Sequence, residues 1–250
     1  MKKLFVLCIP ILLLGCNTER SWNCTQTSGE IIQKQFRVGN FTDIHVLDRV
    51  QLFLKQGETT EVIVETGENL MIEVKVYVED NVLVINNANS CNLFREYGIT
   101  KAYVTAPDIT VLRNGSGLQV ESVGTLRYNS LSLISEDFEE EDALYTDGDF
   151  RLDLEVEALN IIANNLSNFY LSGTAQRGNF RVFSGDVRIE SQNLAVQDLV
   201  VFHRGTNKMI VNPIMSLTGE IRGGGDVIAV NRPELVDVQE YYTGRLIFED

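Results

Sequence analysis

The amino-acid sequence predicts an all-β protein whose second half repeats every 19–20 residues or so. Apolar and polar residues alternate along much of the chain, as in MIEVKVYVEDNVLVI (71–85), and this period of two is typical of β-strands. After residue 110, polar turns return at a nearly constant step, which is the signature of stacked repeats. We therefore expect β-hairpins followed by a β-helix-like solenoid of stacked short strands.

The region before residue 110 contains three predicted strand–turn–strand segments. Residues 71–85 contain a turn at Asp80 and Asn81. The segment VQLFLKQGETTEVIVE (50–65) contains a turn at Gln56 and Gly57, and KAYVTAPDITVL (101–112) is broken at Pro107. These segments are the predicted hairpins that precede the repeats.

The repeats consist of two interleaved turn series. The first series comprises NGSG (114–117), SED (135–137), NNLSN (164–168), SGD (184–186), RGTN (204–207) and GGGD (223–226). The second comprises GTL near 125, EVEA near 156, GTAQ near 175, NLA near 194, NPIM near 214 and NRPE near 233. Each series has one long gap, and both gaps contain FEEEDALYTDG (138–148). Two short strands per repeat and one insertion of about 11 residues explain both series.

Apolar residues at matching places in the repeats are expected to line the interior in continuous rows. A β-sandwich with a turn every 8–12 residues or so is the alternative, but two turn series that share one insertion favour the solenoid. The residues expected in the rows are Leu131, Leu133, Leu159, Ile161, Phe180, Val182, Leu199, Val201 and Leu217.

The first 16 residues resemble the leader of a bacterial lipoprotein. Two lysines precede the apolar residues 4–14, and LLLGC then ends in Cys16. The resemblance implies a signal peptide over 1–15, acylation of Cys16, a lipidated tether over 16–29 and attachment to a membrane. By the same resemblance, the residue after Cys16 favours the outer membrane, because it is an asparagine (Asn17) and not an aspartate. The resemblance does not decide whether the protein lies on the periplasmic face or on the cell surface. A cleaved leader with a chance cysteine is the alternative.

Cys24 and Cys91 are the cysteines that remain after Cys8 leaves with the leader and Cys16 takes lipid. An even pair in an oxidising compartment predicts a Cys24–Cys91 disulfide, and two free thiols are the alternative. Metal binding by these cysteines is poorly supported, because two single cysteines lack a CxxC partner.

Residues 30–250 are predicted to form one domain, with the clearest repeats at 110–235. Its characteristic segments are FTDIHVLDRVQLFLKQGETTEVIVETGENL (41–70), the glycine turns NGSG, SGD and GGGD, and the closing EYYTGRLIF (240–248). In these segments the domain resembles the head GIN domain proteins, a family also called DUF2807, or the "putative auto-transporter adhesins". The resemblance implies a β-helix-like fold, a lipoprotein or secreted location, and adhesion or cell-envelope binding without catalytic residues.

Composition and motifs argue against several other functions. The formal net charge of −14, which becomes −16 once Lys2 and Lys3 are removed with the leader, disfavours nucleic acid as a partner. His45 and His203 lie far apart in sequence and suggest structural or surface roles rather than a metal site. We expect no cofactor, no metal and no catalysis, because GxSxG, HExxH and P-loop motifs are absent from the sequence.

Three groups of polar and aromatic residues are the remaining candidates for chemistry. Since β-helices also host polysaccharide-active enzymes, paired carboxylates need consideration, although aspartates at turns commonly cap them. The acidic residues at 136–142 suggest either a calcium site or a solvated loop. The turn aspartates are Asp137, Asp147, Asp149, Asp186 and Asp226. Aromatic residues near turns, which would contact glycans or proteins unless buried, are Phe94, Tyr97, Phe138, Tyr145, Phe169, Tyr170, Tyr241 and Tyr242.

Two functions from different classes follow. The first is a non-catalytic, lipid-anchored binding protein that presents a rigid β surface to a glycan or protein. The second is a structural scaffold of the periplasm that assembles through the unpaired edges of its end strands. The sequence leaves the oligomeric state open.

Overall fold

The computed structural model describes residues 27–89, 98–138 and 145–249, and these residues form an all-β structure. Seventeen strands join into one hydrogen-bonded sheet within the described ranges, so the predicted all-β class is confirmed. The strands are β1 (Ile31–Phe36), β2 (Asp43–Leu47), β3 (Gln51–Gln56), β4 (Glu61–Gly67), β5 (Val74–Glu79), β6 (Val82–Asn87), β7 (Lys101–Ala106), β8 (Val111–Gly115), β9 (Val120–Ser122), β10 (Leu126–Ser135), β11 (Phe150–Ala163), β12 (Asn168–Val182), β13 (Arg188–His203), β14 (Met209–Ile221), β15 (Val227–Ala229), β16 (Leu235–Glu240) and β17 (Leu246–Phe248).

Helical structure is limited to a 3-10 helix at Met71–Glu73 in the part of the chain that the structure covers. Among these same residues, no helix has the length and apolar character needed to cross a membrane.

The long strands β11–β14 lie side by side in parallel, each paired with the next strand along the chain. Phe150 pairs with Phe169, Phe169 pairs with Ile189, and Ile189 pairs with Met209, so successive strands are offset by 19 or 20 residues. The predicted repeat length is therefore present in the strand register. Between β10 and β11 the offset grows to 28 residues, from Leu131 to Leu159, because the predicted insertion lies between these strands.

The second predicted turn series is wrong in its central members. The residues near 156, 175, 194 and 214 lie inside the continuous strands β11–β14, which are 13–16 residues long. The glycine and polar residues at these places do not end the strands. Gly173 and Gly219 have positive φ within strands, and the β12–β13 and β13–β14 ladders shift register nearby.

Only one of the three predicted hairpins forms. β5 and β6 pair in antiparallel around Asp80 and Asn81, whose φ values of 48° and 65° suit a tight hairpin turn. β3 and β4 flank β7, which pairs with both, so the turn at Gln56 and Gly57 does not join neighbouring strands. β7 and β8 likewise belong to different ladders: β7 pairs with β3 and β4, whereas β8 pairs with β2 and β10.

The chain does not add its first strands in sequence order. β2 pairs with both β6 and β8, and β3 pairs with both β7 and β9, always in parallel. Residues 43–56 therefore lie between two segments that follow them in the sequence. From β10 onward, the order in space follows the order in the chain.

The core is made by inward side chains that the parallel ladders align. All nine apolar residues predicted for the interior rows are buried. Their alignment differs at one strand, because Leu159 pairs with Gly178 while Phe180 pairs with Ile161 and Val201. Val182 therefore belongs to a third row, with Ala163 and His203. A fully buried pair, Phe150 and Phe169, stacks with ring centroids 4.7 Å apart.

Candidate functional site

The candidate site is a lateral groove of about 380 Å³ across β9 and β11–β13, which we call the arginine–tyrosine groove. The parallel register brings together residues that are far apart in the sequence. Arg151 pairs with Glu121 on one side and with Tyr170 on the other, and Tyr170 pairs with Glu190. Alternation along each strand turns these side chains outward, since Phe150, Leu152, Phe169 and Ile189 beside them are buried. The other lining residues are Ser122, Leu152, Asp153, Leu171, Ser172, Gln192 and Asn193.

An arginine stacked on a tyrosine ring occupies the middle of the groove. The guanidinium carbon of Arg151 lies 4.5 Å from the ring centroid of Tyr170. Arg151 is exposed and Tyr170 is half-buried, and the guanidinium lies over one face of the ring. The guanidinium and the ring together provide a planar surface in the groove.

Carboxylates held in place by neighbouring side chains surround this stack. Glu190 accepts a charge-assisted hydrogen bond of 2.6 Å from Nε of Arg188. Asp153 accepts hydrogen bonds from the hydroxyls of Thr125 at 2.6 Å and Ser172 at 3.2 Å. These bonds restrict the side-chain rotamers and leave further acceptor capacity on each carboxylate.

One acceptor in the groove lacks a partner. Oε1 of Gln192 is buried and makes no hydrogen bond within the described structure. Gln192 lies where the β13–β14 ladder skips pairing between Glu190 and Ala195. An orphaned acceptor of this kind is costly unless a bound donor satisfies it.

The chemistry of the groove suits a ligand rich in hydroxyl groups. An aromatic face can pack on the C–H face of a sugar ring, while carboxylate and amide oxygens accept hydrogen bonds from its hydroxyls.

Four of the five turn aspartates connect one turn to the next in the stack. Asp149 accepts hydrogen bonds from the backbone and side-chain amides of Asn168, and Asp226 accepts one from the backbone N–H of Arg245. Asp186 accepts hydrogen bonds from Thr206 and Asn207, and Asp137 accepts them from Asn164 and Asn165. The fifth, Asp147, lies close to Gly117. Turn chemistry predicts that these aspartates cap their own turns, whereas the observed bonds of four of them run to a neighbouring turn 19–28 residues away in the sequence.

The acidic segment 136–142 is only partly described, and its first two carboxylates already have partners. Glu136 pairs with Arg113 at 2.6 Å and also accepts the backbone N–H of Phe138 at 2.8 Å. Asp137 is held by the two asparagines named above. Residues 139–142 lie outside the described ranges. Within those ranges, no cluster of His, Cys, Asp and Glu is arranged to hold a metal ion.

The two histidines occupy structural positions. His45 is half-buried in β2, and His203 is fully buried at the end of β13. Nε2 of His203 lies 2.8 Å from the carbonyl oxygen of Asn207, and its Nδ1 is buried without a partner in the described structure. Burial lowers the pKa of His203, although the bond to Asn207 and the charge of Asp226 act in the opposite direction.

The predicted aromatic contact residues divide into buried, stacked and exposed groups. Phe169 is in the core, whereas Tyr170 lies in the groove. Phe138 is exposed and packs edge-on against Phe183, with centroids 5.4 Å apart. The remaining described members, Tyr145, Tyr241 and Tyr242, are exposed.

Several sequence predictions fall outside the described residues. These concern Cys16, Cys24, Cys91, Phe94 and Tyr97.

Sequence reasoning missed Arg151, Asp153, Glu190 and Gln192. The repeat spacing could have found them, because Arg151 and Tyr170 are 19 residues apart and Glu190 follows 20 residues later. The alignment predicted from the sequence contains only the inward apolar rows and not the polar residues between them.

Comparison with known proteins points to one family and one fold. The family model described as "Putative auto-transporter adhesin, head GIN domain" matches residues 40–233. A crystal structure of a "putative adhesin" from Bacteroides fragilis is 18% identical and superposes with a TM-score of 0.79, covering 90% of this chain and 100% of that chain. A "putative lipid binding protein" from Parabacteroides distasonis is 13% identical, with a TM-score of 0.62 and coverage of 89% and 98%.

A "putative adhesin" from Parabacteroides merdae is also 13% identical, with a TM-score of 0.61 and coverage of 89% of this chain and 97% of that chain. At these identities the similarity shows a shared fold. No curated protein matches the chain significantly in sequence.

Proposed function

Because this chain belongs to the head GIN domain family, we propose that it is a non-catalytic binding protein of the adhesin class, whose parallel ladders wind as a β-helix-like solenoid. Its ligand in this proposal is a glycan of the cell envelope or of a host surface. The family description and the adhesin names of similar structures support a binding role.

The observation that carries the proposal is the Arg151–Tyr170 stack between fixed carboxylates in a groove of about 380 Å³. This volume lies within the range of about 300–1,000 Å³ that small ligands occupy in proteins. A preformed aromatic platform limits the entropy lost on binding, because its side chains are already ordered. The orphaned Oε1 of Gln192 would accept a hydrogen bond from a ligand hydroxyl.

A glycan array followed by calorimetry on the strongest hit tests this site. Tyr170→Ala should weaken binding by about fivefold to 150-fold, since loss of an aromatic platform costs about 1–3 kcal/mol, by analogy with the stacking of other planar ligands. Tyr242→Ala is the matched control, because Tyr242 is exposed and lies outside the groove. Equal losses in both variants would contradict the site, and an array without hits would contradict the glycan ligand.

We further propose that the protein is an outer-membrane lipoprotein attached through acylated Cys16, with a Cys24–Cys91 disulfide near the start of the folded domain. The leader residues 1–15 support the anchor. Cys16→Ser should release the protein from membrane fractions, and a count of two free thiols in the denatured, unreduced mature protein would exclude the disulfide. Protease treatment of intact cells distinguishes the surface from the periplasmic face.

A structural scaffold is the second candidate, and the C-terminal end of the sheet favours it. Within the part of the chain that the structure describes, β16 pairs only with β14 and β17 only with β15, so each has an unpaired edge there. Exposed apolar residues are concentrated there: Leu235, Val236, Tyr241, Tyr242 and Ile247. If copies associate through these edges, light scattering should show dimers or larger species, whereas a strict monomer would contradict the scaffold.

A further inference from the structure

A second groove, of about 400 Å³, lies along β10, β11 and β12, and we call it the acidic groove. The loop after β7 contributes Pro107 and Asp108 to its lining, and Nε2 of Gln56 donates to the carbonyl oxygens of Pro107 and Arg127. Its lining is Pro107, Asp108, Arg127, Tyr128, Asn129, Glu155, Val156, Glu157, Thr174 and Gln176.

The charges in the acidic groove do not cancel. Of its three carboxylates, Glu155 is paired with Arg127 at 2.8 Å. Asp108 and Glu157 are exposed, and neither has an ion-pair partner among the described residues. Two uncompensated negative charges in one groove would attract a cationic group and repel an anionic one.

An orphaned hydroxyl is the second and independent observation. Tyr128 is only 5% exposed, it lines the groove, and its Oη has no hydrogen-bond partner in the described structure. Burial, and secondarily the charge of Asp108, raise the pKa of Tyr128, so this hydroxyl stays protonated. A buried hydroxyl without a partner is destabilising, and a polar ligand group that reaches it would remove that penalty.

We propose that the acidic groove binds an amino sugar, with its protonated amine near Asp108 and Glu157 and one of its hydroxyls bonded to Oη of Tyr128. The amide and hydroxyl side chains of Asn129, Thr174 and Gln176 are neutral partners of the kind that recognise the remaining sugar hydroxyls. This inference rests on the proposed glycan-binding function and adds to it a preference for glycans with free amines, at a site separate from the arginine–tyrosine groove.

Calorimetry with two probes tests the preference: a β-1,4-linked glucosamine trimer and its N-acetylated form, which lacks the positive charge. The wild-type protein should bind the glucosamine trimer at least tenfold more tightly. D108N/E157Q should reduce this preference to less than threefold. E234Q/D237N is the matched control, because it removes two exposed charges outside the groove and should leave the preference intact.

Tyr128→Phe separates a ligand-binding role from a structural one. Removing the orphaned hydroxyl should leave the melting temperature unchanged or higher, because the apolar ring fills the same space. It should also weaken binding of the glucosamine trimer about threefold to tenfold, the loss expected for one hydrogen bond. A lower melting temperature with unchanged affinity would contradict a ligand role for the hydroxyl.

The remaining outcomes distinguish this inference from the proposed function. Equal affinity for the two trimers would overturn the inference. The proposed function would remain intact in that case if the protein still binds a glycan and Tyr170→Ala still abolishes that binding. Binding of trilysine as tight as that of the glucosamine trimer would also overturn it and would identify a basic peptide as the ligand.

Discussion

Gly173 lies within β12 at a place where the parallel ladder leaves no room for a side chain. Its φ is +105°, and a Cβ added there would lie 1.9 Å from the carbonyl oxygen of Leu154, its register partner on β11. Real Cβ atoms essentially never approach closer than 3.0 Å, so Gly173→Ala must separate the two strands locally by about 1 Å.

Two costs contribute to the expected loss of stability. A non-glycine residue at this φ costs about 1–3 kcal/mol. Separating the strands weakens one or two interstrand hydrogen bonds, each worth about 0.5–1.5 kcal/mol. The free energy of unfolding should therefore fall by about 2–5 kcal/mol, and the melting temperature by about 5–20 °C.

Gly124→Ala is the matched control. Gly124 also has a positive φ, +81°, but an added Cβ would meet nothing within 4 Å. It should lose only the conformational part, about 1–2 kcal/mol. Urea unfolding followed by circular dichroism measures both variants. A Gly173→Ala loss within about 0.5 kcal/mol of the control would refute the steric argument.

The same reasoning predicts the effect of three other changes. Phe169→Ala should lose about 3–5 kcal/mol in urea unfolding because it removes a fully buried, stacked ring, and a loss below about 1 kcal/mol would contradict the packing. Since the pKa of His203 is lowered from 6.5 on folding, acidification below that value should destabilise the wild type more than His203→Gln; a pH-independent difference between them would refute this. A double-mutant cycle with Arg113→Met and Glu136→Gln should give a coupling of about 1–2 kcal/mol, because both side chains are largely shielded from water, and a value under about 0.3 kcal/mol would argue against it.

The repeat was predictable because its signals are local. Turn residues such as those at 164–168 and 184–186 end strands through their own backbone preferences, and alternation marks the inward positions Leu131, Leu159 and Leu199. The insertion at 138–148 was visible because it lengthened both turn series at once.

The hairpin predictions failed at β3 and β4 for a physical reason. A turn at Gln56 and Gly57 requires only local geometry, whereas the pairing partner is chosen among many chemically similar strands. β7 pairs with both β3 and β4 and lies between them. Such a choice depends on the burial achieved by the whole sheet.

The candidate site was only partly predictable. The position of Tyr170 near a turn predicts that a ligand could contact it, but its partners Arg151 and Glu190 carry no motif. They become a site because the register places them in adjacent strands and the skipped pairing near Gln192 interrupts the ladder beside them.

Alternation, turn chemistry and repeat length are properties of neighbouring residues, so the amino-acid sequence was sufficient to predict the all-β class, the step of 19–20 residues, the position of the insertion and the family. The position of β2 and β3 between later strands, the continuity of the central strands through residues such as Gly173, and the formation of the two grooves are visible only in the folded chain. These features depend on contacts between residues far apart in the chain, and many alternative pairings satisfy the same local pattern.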